Sequence, residues 1–168
     1  MSASSRAARV FVRTEDFDLA VETAALRAGD GGVGAVVSFI GTVRDHHDGE
    51  ALQALELEHY PGMTEASIEA MIDEAVRRFD IRAARVVHRV GRLEPMAQIV
   101  LVAVSARHRG EAFQACEFLM DYLKTQAPFW KKESGTAGAR WVDARSVDDD
   151  ALARWGIATT NAAPLPSR

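Results

Sequence analysis

Hydrophobic positions along this chain fall into two rhythms. Short β-branched runs occur at Val10-Phe11-Val12, at Ala35-Val36-Val37-Ser38-Phe39-Ile40 and at Ile99-Val100-Leu101-Val102-Ala103-Val104. These predict strands, the second of them buried and the third the strongest strand signal in the chain. Leu55-Glu56-Leu57-Glu58 alternates, which predicts a strand with one solvated face. Residues 84–90 predict a further strand. Spacing by three and four predicts helices over residues 15–26, with Thr14 as N-cap, and over residues 63–79, through Ile68, Met71, Ile72, Ala75 and Val76. A third helix is predicted over residues 110–125, with Phe113, Cys116, Met120 and Leu123 on one stripe, before Pro128 forbids its continuation. Residues 129–133 and 140–142 suit a closing pair of short strands, and residues 148–155 a last helix.

Gly29 to Gly34, Pro61-Gly62 and residues 91–95 read as turns, and residues 45–50, with both His46 and His47, as a solvated loop. The order of elements has no repeating βαβ rhythm. It predicts a single α+β domain, a mixed or antiparallel sheet with packed helices, over residues 10–156. Residues 1–9 and 157–168 carry no periodic pattern and read as a flexible N-terminus and tail.

The chain has 168 residues, 48% of them apolar, enough for a core without covalent staples. Its formal net charge of -4 argues against a general nucleic-acid binder. A single cysteine, Cys116, can form neither an internal disulfide nor a thiolate metal cage. On an apolar helical stripe it reads as a buried inert thiol. The first residues lack an apolar signal segment, and no apolar run approaches the roughly 20 residues that span a bilayer. The expectation is a cytoplasmic protein with no metal and no cofactor.

Neither a nucleophile elbow nor a phosphate-binding Walker loop is present, and the glycines at 29–34 precede a strand, the wrong context for a dinucleotide fingerprint. Cations stand instead at predicted element ends: Arg44 after one strand, Arg107-His108-Arg109 between a strand and a helix, Lys124 in that helix's last turn, and Lys131-Lys132 beyond. Such a set can complement a phosphorylated anion. Each also has a plain explanation. Lys124 suits a helix C-terminus, and Lys131 and Lys132 point to opposite faces of a strand, so one of them is solvated.

Longer motifs sharpen this reading. Asp121-Tyr122-Leu123-Lys124-Thr125-Gln126-Ala127-Pro128-Phe129-Trp130-Lys131-Lys132-Glu133 resembles the signature of the molybdopterin synthase catalytic (large) subunit family. So do Phe39-Ile40-Gly41-Thr42-Val43-Arg44, Leu57-Glu58-His59-Tyr60-Pro61-Gly62-Met63, His88-Arg89-Val90-Gly91, His108-Arg109 and Arg140-Trp141-Val142. The resemblance implies an α/β-hammerhead type of fold. It implies transfer of two sulfurs to cyclic pyranopterin monophosphate from the C-terminal Gly-Gly thiocarboxylate of a small ubiquitin-like partner, within a heterotetramer built on a dimer of large subunits. It implies substrate contacts at Thr42, Val43, Arg44, His108, Arg109, Lys124, Lys131, Lys132 and Glu133, with Lys124 and Lys131 at the chemistry and Lys131 facing inward. A non-catalytic docking module for the same sulfur carrier is the competing expectation.

Overall fold

The computed structural model describes residues 8–142 and 146–157. In chain order the elements are β1 (Val10–Arg13), α1 (Leu19–Arg27), β2 (Ala35–Thr42), β3 (His46–His47), β4 (Glu50–His59), α2 (Met63–Arg78), β5 (Ile81–Arg89), β6 (Gly91–Leu93), β7 (Gln98–Ala106), α3 (Arg109–Gln126), β8 (Phe129–Gly135), β9 (Gly138–Val142) and α4 (Ser146–Ala153).

The strands form two sheets. The first has the order β1-β5-β7-β2, with β1 parallel to β5 and the other pairs antiparallel. Its central strand β7 explains the continuous apolar run. Val100, Val102 and Val104 face α2 and α3, while Leu101 and Ala103 face α1 and Phe17. Successive strand residues point to opposite faces, so only a strand covered on both sides is apolar throughout. The main core packs Ile68, Met71, Ile72 and Ala75 of α2 against Ala115, Phe118 and Leu119 of α3. Burying each large side chain there contributes about 1.5–3 kcal/mol.

Several sequence expectations shift. The first helix starts later, because Asp18 rather than Thr14 is its N-cap: the Asp18 carboxylate accepts the N–H groups of Ala20 at 2.8 Å and Val21 at 3.2 Å. Phe17, just before it, is buried against Val87 and Leu101 and fixes the entry of the chain. Phe113 and Val76, expected inside, are exposed. On α3 the buried face is centred on Ala115, Phe118 and Leu119, which leaves Phe113 to one side. The turn expected at 91–95 contains β6, which pairs with β4.

The second sheet has the order β3-β4-β8-β9, with β6 also on β4. The solvated loop expected at 45–50 is here a hairpin. His47 pairs with Glu50 across Asp48 (φ 52) and Gly49 (φ 84), the left-handed pair that a two-residue hairpin turn requires. His46 remains exposed, whereas His47 is 7% exposed.

Among the described residues the sheets are joined at several points, and β5 of the first runs through Val90 into β6 of the second. Val43 follows β2, donates its N–H to Ala97 and accepts from Met96, and its side chain packs with Leu55, Leu57 and Leu93 of the second sheet. Phe129 of β8 stacks on His88 of β5 with ring centroids 3.8 Å apart. Asp121 of α3 also accepts a hydrogen bond from the Trp155 indole at 2.8 Å, tying the segment after α4 to α3. The expectations for residues 1–7 and 158–168 lie outside the described residues.

Candidate functional site

The path of α3 decides which cations can meet. β2 and β7 are antiparallel, with Ala35 beside Ala106 at one end and Thr42 beside Gln98 at the other. α3 follows β7 and packs back along β7 and β2. Its start therefore lies at the Ala35 end and its last turn at the Thr42 end. At 1.5 Å per residue, His108 and Lys124 are separated by about 24 Å along the helix. Thr42, Val43, Arg44 and Lys124 thus gather at one end of the first sheet, and His108 and Arg109 stand at the other.

β8 joins the first group. Cross-strand partners point to the same face, so the register builds two opposed surfaces. On one, Leu55 lies beside Glu133, Leu57 beside Lys131, and His59 beside Phe129. On the other, Glu56 lies beside Lys132, which in turn lies beside Trp141. Leu55 and Leu57 are packed against Val43, so Lys131 and Glu133 emerge on the side from which Arg44 departs. Lys132 instead places its ammonium over the Trp141 ring, 5.7 Å from the centroid. Lys131 thus shares a face with Leu57 and Glu133, and Lys132 lies on the opposite face.

The three carried-over positions of β8 differ in exposure. Lys131 is 42% exposed at its side chain and Glu133 7%. The Glu133 carboxylate meets His47 Nδ1 at 2.6 Å, Lys131 Nζ at 3.8 Å and an Arg140 nitrogen at 3.9 Å. His47, expected to be solvated, is therefore part of this neighbourhood. The signal in the sequence that points to it is Asp48-Gly49, a hairpin dipeptide that folds β3 back onto β4. Arg44, Lys124, His108 and Arg109 are all exposed.

Two clefts accompany these groups. One, of about 490 Å³, is lined by Gly34, Ala35 and the segment from Arg107 to Gly110. A Cβ on Gly34 would lie 2.2 Å from the Arg107 carbonyl, so glycine is required for that close approach. The other, of about 250 Å³, lies between the β3–β4 turn and the β8–β9 hairpin and includes His47, Glu133 and Arg140.

Burial moves His88 and Cys116 far from their ordinary values. Burial lowers His88 to about 4, against the opposing effect of its hydrogen bond to the Arg89 carbonyl. Burial raises the Cys116 thiol to about 11, which removes it as a nucleophile at neutral pH. Among the described residues no group of three or more His, Cys, Asp or Glu side chains is placed to hold a metal ion. No described helix is long and apolar enough to cross a membrane.

Residues 12–126 match the family described as MoaE protein. The molybdopterin synthase catalytic subunit of Ralstonia nicotianae is 63% identical over 151 residues, covering 90% of this chain and 86% of that protein. The solved structure of the molybdopterin biosynthesis MoaE protein from Burkholderia ambifaria superposes with a TM-score of 0.78 at 58% identity, covering 89% of this chain and 99% of that one. A molybdopterin synthase structure from Staphylococcus aureus gives a TM-score of 0.73 at 31% identity, over 79% and 95% of the two chains.

Proposed function

The chain belongs to the MoaE family, and from that premise we propose that it is the catalytic subunit of a molybdopterin synthase. It is a sulfurtransferase of molybdenum cofactor biosynthesis. Two sulfurs, one from each of two C-terminal thiocarboxylates of small ubiquitin-like subunits, pass to cyclic pyranopterin monophosphate, forming the molybdopterin dithiolene and leaving each donor tail as a carboxylate. The reaction takes place in the cytoplasm.

What supports the reading is that Arg44, just beyond β2, Lys124, in the last turn of α3, and Lys131, on β8, stand toward the same end of the first sheet. A cyclic phosphate and a thiocarboxylate are both anions, and cations fixed on strand and helix ends suit both. The donor subunit brings the sulfur, so the buried Cys116 has no part in the transfer. Lys124 and Lys131 stabilise the anionic intermediate formed on thiocarboxylate attack and move a proton as the pterin ring opens. Thr42, Val43 and Arg44 line the substrate, while Lys132 faces away over Trp141 and Glu133 stands beneath Lys131.

His108 and Arg109 belong to the same pocket only if a second copy supplies them. A two-fold pairing of large subunits at the centre of the heterotetramer lays the His108 end of one copy against the Arg44 end of the other.

The test is reconstitution. The purified chain, thiocarboxylated small subunit and cyclic pyranopterin monophosphate are combined, and the dithiolene product is detected by mass spectrometry. Binding of the small subunit without product under any condition would instead support a docking module.

A further inference from the structure

The contacts of Glu133 divide its carboxylate. Oε2 is held by His47 Nδ1 at 2.6 Å, with an Arg140 nitrogen at 3.9 Å. Oε1 faces Lys131 Nζ at 3.8 Å, outside hydrogen-bond range but within ion-pair range. His47 and Glu133 are each 7% exposed at the side chain, and Lys131 is 42% exposed. A buried carboxylate is costly without partners, and His47 provides the short contact. The imidazole is held on its other edge too, with Nε2 3.4 Å from Asp48 Oδ2 in the hairpin turn. A turn, a buried imidazole, a buried carboxylate and a half-exposed ammonium thus form a continuous chain from β3 to β8.

We propose that His47 is a positioning residue for the sulfur-transfer reaction, acting through Glu133 to fix the Lys131 ammonium. The proposal rests on Lys131 being at the chemistry, as argued above. It also reassigns Glu133, which steadies Lys131 from beneath rather than touching the pterin. An ammonium on a flexible four-carbon stem has many rotamers. A carboxylate anchored on its far oxygen and 3.8 Å from Nζ restricts them. Without His47 that carboxylate can rotate toward Lys131 or Arg140, and the ammonium is displaced from the reacting atoms.

The contact is made by Nδ1, which yields a chemical test. The amide nitrogen of asparagine stands at the same bond distance from the backbone as Nδ1, whereas that of glutamine stands one bond further out. In the reconstituted synthase, His47→Ala lowers kcat by about tenfold or more with KM for the pterin changed less than about twofold. His47→Asn restores most of kcat, and His47→Gln does not. Wild-type kcat in His47→Ala, equal rescue by both amides, or a kcat loss that tracks the unfolding temperature across the three variants would each overturn the proposal.

A second readout needs neither substrate nor partner. After reductive 13C-methylation of the lysines, the Lys131 resonance, assigned by its loss in Lys131→Ala, shifts in both His47→Ala and Glu133→Gln. It returns to its wild-type position in His47→Asn. A Lys131 resonance unmoved by either of the first two changes overturns the coupling. Absence of product with the wild-type chain would count against the proposed function, while this measurement still decides the role of His47.

Discussion

His108 precedes the first turn of α3 and Lys124 lies in its last, so one helix holds these two residues at opposite ends of the first sheet. No rearrangement of side chains brings them together within one copy. Mixing two inactive variants tests the composite pocket. Lys131→Ala and Arg109→Ala are each nearly inactive, but a mixed dimer contains one site with both residues intact. After equilibration of equal amounts, product formation recovers to about a quarter of the wild-type rate, because half the dimers are mixed and each has one working site. A mixture no more active than its components would place all the groups within single copies.

Lys124→Ala lowers dithiolene formation by about 100-fold or more, the scale expected when a charge aimed at a developing anion is removed. Affinity for the small subunit, measured by titration calorimetry, stays within about twofold of wild type. Full activity in this variant would remove Lys124 from the chemistry. Lost affinity with unchanged turnover at saturation would make it a docking residue.

His88 gives the fold an acid-sensitive contribution. In the unfolded chain a histidine titrates near 6.5, while burial against Phe129 holds His88 to about 4, with nearby His59 adding to the depression. Between these values the unfolded chain binds a proton that the native fold does not. Stability therefore falls as pH drops from about 6.5 to about 4, by up to roughly 3 kcal/mol, and this contribution is flat above pH 7. Urea midpoints measured from pH 4 to 8 show a shallower acid slope in His88→Phe, which keeps an aromatic ring on Phe129. Parallel curves for the two proteins would mean that His88 makes no such contribution.

Cys116 is dispensable for turnover. Its thiol is buried on α3, 3.8 Å from the Val102 carbonyl oxygen, and burial raises it to about 11. Cys116→Ala retains turnover within about twofold while losing about 1 kcal/mol of stability from the small cavity. Iodoacetamide at neutral pH leaves the native enzyme active. Inactivation by alkylation at Cys116 would show that the thiol is reachable and close to the chemistry.

The parts of the fold legible in the sequence are those where one physical demand dominates. β7 is covered on both faces, so its apolar run is unbroken, and the alternation in β4 follows from one covered face. The start of α1 is ambiguous in the sequence because Thr14 and Asp18 are both competent caps, and only the tertiary seat of Phe17 selects Asp18. β6 is three residues long and has no pattern of its own; its pairing with β4 defines it. Among the candidate site residues, strand alternation by itself distinguishes Lys131 from Lys132. The separation of His108 from Lys124 has no such local signature, since it depends on α3 doubling back over β7. His47 is disguised by its polar neighbours, and Asp48-Gly49 is the one local sign of the hairpin that buries it.

The pairing of β4 with β8 has a consequence for how the molecule matures. Leu57 and Lys131 are neighbours across that pair although about 70 residues separate them in sequence, and closing so long a loop is entropically unfavourable until the intervening elements are in place. Lys131 reaches its position only once β8 has paired with β4. A chain released early from synthesis, or arrested part-way through folding, can therefore bury much of its core without yet presenting the lysine that the reaction needs.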